Sequence, residues 1–337
     1  MNTFYSLILS WFKENKRDLP WRGNVDSYQI YLSEIMLQQT RVQAVIPYFN
    51  RFIQEVPSFY DLANIAEDKL FKLWEGLGYY SRAKNLKKCA IEIVNHHNGV
   101  FPNSYKDAIQ LPGIGAYTAG AILSRAYNLK YAAVDGNVLR IFTRLNLDDS
   151  DILKESTKKQ YKEYIESIMD KDYGAFNEAL MDLGATICMP KVALCDKCPL
   201  NGLCKAYKEN KVFEFPKKKI KPEKEYFEYS MIFITDQDRY IFLPKEDGVL
   251  KGLNAPILLD SYMSEFEIID SIKEKYDLDI QNITLMKKGK HIFSHQLWNI
   301  KAYIAYTRDL KDYPSYSIEE INTQIALPTA YKKFLPF

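Results

Sequence analysis

Apolar residues recur every three or four positions through the first two hundred residues. Phe4, Leu7, Ile8, Trp11 and Phe12 form the first helical stripe. Comparable segments follow up to about residue 207, broken by short punctuation at Leu19-Pro20, Ile46-Pro47, Val56-Pro57, Asn98-Gly99 and Pro112-Gly113. β-Branched alternation is scarce there, so the pattern predicts helix after helix. Around 211–225 the period stops in a charged, Pro-containing stretch that reads as a linker. Beyond it the period changes. Residues 226–235 (YFEYSMIFIT) and 239–243 (RYIFL) flank a DQD turn and predict a β-hairpin. Residues 263–276 predict an amphipathic helix, and 292–306 again look strand-rich. The expected organisation is a mainly α domain over 1–210, a linker over 211–225 and an α+β domain over 226–337.

Composition adds little to this picture. The 337 residues suffice for two domains; 47% are hydrophobic and 26% charged, as in ordinary folded proteins. A net charge of +2 gives no nucleic-acid signature in the total, although local clustering can supply one. No stretch approaches the length of a membrane span. The N-terminal segment has neither a basic region nor a small-residue cleavage site, so a cytoplasmic location is expected. Cys89, in the helical pattern NLKKCAIEIV, reads as a core thiol.

The other four cysteines change the picture. Cys188, Cys195, Cys198 and Cys204 follow a C-x6-C-x2-C-x5-C spacing with no histidine between them. Four thiols so close together point to a metal or cluster site. One close pair flanked by single cysteines suits a [4Fe-4S] cluster. A zinc site and two disulfides are the alternatives, the latter disfavoured in an intracellular protein. Upstream, LPGIGAYTAGAI begins at Leu111, with Gly113 and Gly115 bracketing a tight turn before a helix. This is a helix-hairpin-helix pattern, whose backbone N–H groups can receive a phosphate oxygen. Asp135, in VDGNV, has the place of a turn or N-cap residue. A carboxylate at a helix start is also kept ionised by the helix dipole. Glu34 lies among Ile30, Leu32, Ile35, Met36 and Leu37. An enclosed carboxyl has its pKa raised, as a general acid near neutral pH requires.

SEIMLQQTRV, LGYYSRAKNL, LPGIGAYTAGAI, VDGNV and the four-cysteine loop together resemble the MutY adenine DNA glycosylases of the endonuclease III superfamily. FSH at 293–295 extends the resemblance into the second domain. It implies a helix-hairpin-helix glycosylase fold with an iron–sulfur loop, followed by a MutT/Nudix-like α+β domain. It also implies base excision repair by a monomer acting on double-stranded DNA that carries adenine opposite 8-oxoguanine or guanine. By the same resemblance Glu34 protonates the flipped adenine, Asp135 stabilises the sugar cation, and Tyr117 and Asn137 position Asp135 and the sugar. Arg22 would hold the adenine edge, and Gln39, Thr40 and Tyr79 would occupy the stack and touch the opposite base. Gly113 and Gly115 would meet phosphate, while Phe293, Ser294 and His295 would read the oxidised base. Endonuclease III-type relatives carry a lysine where this chain has Tyr117, so a monofunctional enzyme is implied. The second domain lacks the paired glutamates of a Nudix hydrolase. An endonuclease III-like lyase and a non-catalytic iron–sulfur protein are the competing alternatives; Tyr117 speaks against the first, Glu34 and Asp135 against the second.

Overall fold

The computed structural model describes residues 3–23, 25–218 and 223–337. Along the chain run helices α1 (Thr3–Asn15), α2 (Ser27–Leu37), α3 (Val42–Glu55), α4 (Phe59–Asn64), α5 (Glu67–Trp74), α6 (Ser81–His97), α7 (Tyr105–Ala108), α8 (Ala116–Tyr127), α9 (Gly136–Asn146), α10 (Glu155–Ile168), α11 (Tyr173–Thr186) and α12 (Lys205–Lys208). Then come strands β1 (Glu225–Thr235), β2 (Arg239–Ile241), β3 (Leu243–Pro244), β4 (Asn254–Ala255) and β5 (Ile257–Asp260), helix α13 (Glu265–Tyr276), strands β6 (Asn282–Ile292), β7 (Gln296–Tyr306) and β8 (Ser315–Ser317), and helices α14 (Ile318–Thr323) and α15 (Thr329–Lys332). Two compact units result: Met1–Ile65 with Lys84–Ile220, and Ala66–Ala83 with Lys221–Phe337.

In the first unit α11 packs against α1, α8 and α9, and α2 packs against α8. Tyr5, Ile8 and Phe12 of α1 join Val138, Phe142, Phe176 and Leu180 in one buried cluster. Each such side chain contributes roughly 1.5–3 kcal/mol through burial. The face of α1 differs from the predicted stripe: Tyr5 is buried and Leu7 is 37% exposed. The cause is polar, since the Tyr5 hydroxyl accepts the backbone N–H groups of Lys171 and Asp172 at 3.1 and 2.8 Å. The hairpin's first helix is the single turn α7, capped by Ser104. Gly113 then takes φ +79, and a Cβ there would lie 2.9 Å from Asn85 Cβ. Only glycine fits that turn. Cys89 is fully buried, as a core thiol is expected to be.

The second unit is a mixed sheet ordered β6-β7-β1-β2-β8, with β5 also paired to β1. β1 and β7 run parallel over their full length, from Glu225 opposite Gln296 to Thr235 opposite Tyr306. Ser230–Thr235 is buried without alternation, as a strand covered on both faces must be. Ile232 and Ile234 meet Ile268 and Ile272 of α13, whose Ser264 and Glu267 form a capping box. Met231 and Phe233 meet Ile321 of α14 and Tyr331 of α15. The predicted hairpin across the DQD turn is present as β1 and β2.

Three features depart from the expected organisation. Val212 and Phe215 are buried against Ala206, so the packed chain continues five residues into the expected linker. Residues 219–222 of that linker lie outside the described residues. Residues 66–83 associate with the second unit through polar pins: Lys72 Nζ donates to Ile325 O at 2.9 Å, and Glu75 Oε1 accepts from Leu327 N at 3.1 Å and Lys332 Nζ at 3.2 Å. Finally, 292–295 is not strand throughout. β6 ends at Ile292, and Phe293–His295 form the turn into β7.

Candidate active site

Helix α2 carries Glu34 into the interior because it is apolar on every side; Tyr28 and Ile30–Met36 are all buried. Asp26 fixes the start of this helix by accepting the Gln29 N–H at 2.8 Å. Glu34 is 2% exposed. One carboxylate oxygen accepts the Tyr117 hydroxyl at 3.1 Å, and the other pairs with Arg125 Nη1 at 2.8 Å. Burial pushes the Glu34 carboxyl above its ordinary pKa, and the Arg125 charge and the Tyr117 hydroxyl pull it back only in part.

Asp135 caps α9. Its Oδ1 accepts the backbone N–H groups of Asn137 and Val138, both at 2.8 Å, and its Oδ2 accepts Asn137 Nδ2 at 2.7 Å. Burial raises this carboxyl too, against those three bonds and the Arg140 charge. All three partners are N–H donors, so the cradle is built for the carboxylate form. Asn137 is oriented from behind, its Oδ1 accepting Arg140 Nη2 at 2.9 Å. A Cβ at Gly184 of α11 would lie 2.7 Å from Asn137 Cβ. Tyr117 is deeply buried, and the charges of Glu34 and then Asp135 help to raise its pKa well above 10. Glu34 with Tyr117 and Asp135 with Asn137 thus form two hydrogen-bonded pairs, and Tyr117 and Asp135 line one cavity. Beside it a cavity of about 720 Å³ is lined by Tyr117, Asp135, Gly115, Gly136 and lysines of α10. At both glycines the position of a Cβ is open space.

Arg22 is drawn into the same interior. Its Nε pairs with Glu178 at 3.2 Å, its Nη1 and Nη2 meet Asp182 at 2.8 and 2.9 Å, and it lies over the Phe12 ring. Glu178 also pairs with Arg125 at 3.1 Å, which links Arg22 to Glu34 through one carboxylate. Arg125, Glu178, Asp182, Arg140 and Gly184 escaped the sequence-based selection. Arg125 was the most accessible of them: it stands eight residues after Tyr117 on α8, on the same helical face. Gln39 follows α2 in a left-handed conformation, φ +59, and is exposed; Thr40 is half-buried beside it.

The four cysteines gather on one loop as free thiols. Cys188, Cys198 and Cys204 pack on the cluster that holds α1, α9 and α11, and Cys195 and Cys204 on Ala206 and Phe215. Buried Arg144 organises this loop, donating to Cys188 Sγ at 3.3 Å, Met189 O at 3.0 Å and Phe215 O at 3.1 Å. Burial, then the neighbouring Cys188 and Cys204, raises Cys195. Among the described residues no three His, Cys, Asp or Glu side chains stand close enough to grip a single metal ion. Cys188, Cys195, Cys198 and Cys204, unpaired and walled by core and a guanidinium, are the residues that would hold a metal or cluster.

In the second unit the exposed Tyr79 and Ser294 meet, hydroxyl to hydroxyl, at 2.7 Å. Tyr79 has φ +48, and the Arg82 guanidinium lies 5.6 Å from its ring centre. The Phe293 ring contacts Trp298 at 4.7 Å and His291 at 4.5 Å, and its carbonyl accepts Lys224 Nζ at 2.7 Å. His295 is exposed.

Residues 32–167 match the family described as HhH-GPD superfamily base excision DNA repair protein. The helical region also resembles a solved thermostable thymine-DNA glycosylase: TM-score 0.55, 30% identity, covering 61% of this chain and 95% of that one. Endonuclease III in a trapped covalent DNA intermediate shares the fold at TM-score 0.53 and 21% identity, over 61% and 94% of the two chains. The class is therefore that of helix-hairpin-helix base excision repair proteins. An adenine DNA glycosylase of Buchnera aphidicola from Baizongia pistaciae is 38% identical over 303 residues, 87% of this chain and 83% of the relative. The Buchnera enzyme from Acyrthosiphon pisum is 39% identical over 88% and 85%. This chain belongs to the adenine DNA glycosylase family.

Proposed function

We propose that this adenine DNA glycosylase excises adenine opposite 8-oxoguanine or guanine by hydrolysis alone, with Glu34 as general acid and Asp135 as stabiliser of the sugar cation. The observation that supports the reading is Tyr117, whose hydroxyl donates to the enclosed Glu34 and whose side chain lines the same cavity as the N–H-cradled Asp135. Burial raises both carboxyls, and Asp135 alone sits at a helix start with three N–H donors, so in this reading Glu34 is the acid and Asp135 the anion of a two-carboxylate glycosidic cleavage. The flipped base receives a proton from Glu34, and the C1′–N9 bond breaks with positive charge on the sugar. Asp135, held by Asn137, faces that charge until water adds to C1′ and releases its proton, leaving an abasic site and free adenine. Tyr117 has no amine, so no imine to the sugar forms there. Gly115 leaves room for backbone phosphate at the start of α8, which no side chain caps. Cys188, Cys195, Cys198 and Cys204 would hold a [4Fe-4S] cluster, which supplies a rigid tie between the loop and the core and a one-electron centre. The second unit, a MutT-like lesion reader in this proposal, offers Tyr79 and Ser294 to the base opposite the adenine; the monomer works inside the cell.

The test is an excision assay on duplexes with adenine opposite 8-oxoguanine, guanine or thymine, resolved with and without alkali. Strand breaks only after alkali, at the first two duplexes, are expected. Breaks without alkali, or trapping by borohydride, would overturn the hydrolytic mechanism.

A further inference from the structure

The second unit carries a basic corner whose charge the fold leaves uncompensated. β6 is an edge strand, and Lys287, Lys288 and Lys290 lie exposed along it. Lys333 arrives from the end of α15. Lys287 Nζ donates to Lys333 O at 3.0 Å, and Lys333 Nζ donates to Lys290 O. Among the described residues none of the four has a carboxylate within 4.0 Å, whereas Lys158, Lys162, Lys273 and Lys311 each have one. Lys288 stands directly opposite Lys301 on β7, a pairing of like charges that costs stability. Burial and then the Lys287 charge lower the pKa of Lys333. Burial and then Lys333 push His291 down to about 4, so His291 is neutral at pH 7 and the positive charge resides on the lysines.

Charges along an exposed edge also deter strand-to-strand aggregation. That accounts for lysines on β6, but not for Lys333, which a different element brings onto the Lys290 carbonyl. A like-charged group without counter-charges is relieved by an external polyanion. Ser294 stands four positions after Lys290, a span of at most about 13 Å at 3.3 Å per residue. We propose that Lys287, Lys288, Lys290 and Lys333 form a phosphate-binding corner that grips the duplex backbone next to the base met by Ser294. This rests on the reading that the protein acts on duplex DNA.

The experiment uses full-length protein and a fluorescent duplex carrying adenine opposite 8-oxoguanine. Binding is measured between about 50 and 200 mM salt, where log K falls with log salt by about 0.9 per neutralised phosphate. Lys288→Gln and Lys290→Gln should each reduce that slope by up to about 0.9, and the four-lysine glutamine variant by roughly 2–3. The corresponding arginine variants should keep the wild-type slope, which separates loss of charge from damage to the fold. Lys273→Gln, which removes a paired lysine, should leave the slope unchanged. An unchanged slope in the glutamine variants would overturn the proposal and leave edge protection as the role. Absence of any salt-dependent binding by the wild type would instead refute the DNA reading on which it rests.

Discussion

Glu34 and Ser294 serve one proposed reaction from contrasting surroundings. Glu34 is 2% exposed and fixed by a hydroxyl and a guanidinium, with Arg125 itself tied to Glu178 and Trp21 O. Ser294 is exposed, and Tyr79 is its side-chain partner. Chemistry on a base requires a group whose position and pKa are set in advance. A residue that inspects a base must be free to exchange its partner for that base. In the proposed reaction the enclosure of Glu34 and the exposure of Ser294 are therefore the same principle applied to two tasks.

The largest effect should come from breaking the constrained side. Glu34→Gln removes the transferable proton while keeping the shape. A positioned general acid is worth about 10²–10⁴-fold, so single-turnover excision should fall by at least that range while duplex binding stays near wild type. Asp135→Asn should be comparably severe, because it replaces the carboxylate with an amide that faces three N–H donors. Excision near the wild-type rate by either variant would remove that residue from the mechanism.

A smaller effect should follow from Gly184→Ala. The new methyl would lie 2.7 Å from Asn137 Cβ. Overpacking of this kind costs about 1–3 kcal/mol, read as a lower melting temperature. Because Asn137 positions Asp135, a displacement near 1 Å would slow excision by about 10²-fold. Slowing beyond what the stability loss explains would identify Gly184 as part of the carboxylate's support; a stability loss without slowing would not.

The pH profile sharpens the same side. Burial raises the Glu34 carboxyl, and if Glu34 is the proposed general acid its reactive form is the protonated one, so activity should fall as pH rises through that raised pKa. The Tyr117 hydroxyl stabilises the carboxylate. Tyr117→Phe removes that bond and should move the alkaline limb to higher pH, whatever it does to the maximal rate. A limb displaced to lower pH would mean that Glu34 is not the titrating acid.

What the sequence disclosed divides along similar lines. Glu34, Asp135 and the cysteines were legible because each sits in a short local pattern: an apolar helix, a capping turn, a thiol spacing. Arg125, Glu178 and Asp182 were not. Charged residues on helices ordinarily face water, and nothing local shows that they converge inside. The hairpin of β1 and β2 was legible from its turn, whereas the β1–β7 pairing was not, since parallel partners lie some seventy residues apart. β6 escaped because it is an edge strand exposed almost throughout, with Ile283 its one buried residue, so it carries no apolar alternation. The attachment of residues 66–83 to the second unit was hidden too; it depends on Lys72 and Glu75 finding backbone groups at Ile325 and Leu327.

That attachment carries Tyr79 to Ser294 and allows the smallest effect to be tested. An exposed hydroxyl pair is worth about 0.5–1.5 kcal/mol. Tyr79→Phe and Ser294→Ala each delete one hydroxyl with little change of shape. If both hydroxyls act only through each other, the double variant should lose no more preference for 8-oxoguanine over guanine than either single one. If each also contacts the lesion, the losses should accumulate, with about 1–3 kcal/mol at stake for a good base contact. The ratio of excision rates on the two duplexes, completed as a double-mutant cycle, distinguishes these outcomes. Coupling near 1 kcal/mol with a reduced ratio would make Tyr79 a positioning residue for Ser294. A ratio unchanged in all three variants would mean that neither hydroxyl inspects the opposite base, and the looseness of this turn would serve something other than recognition.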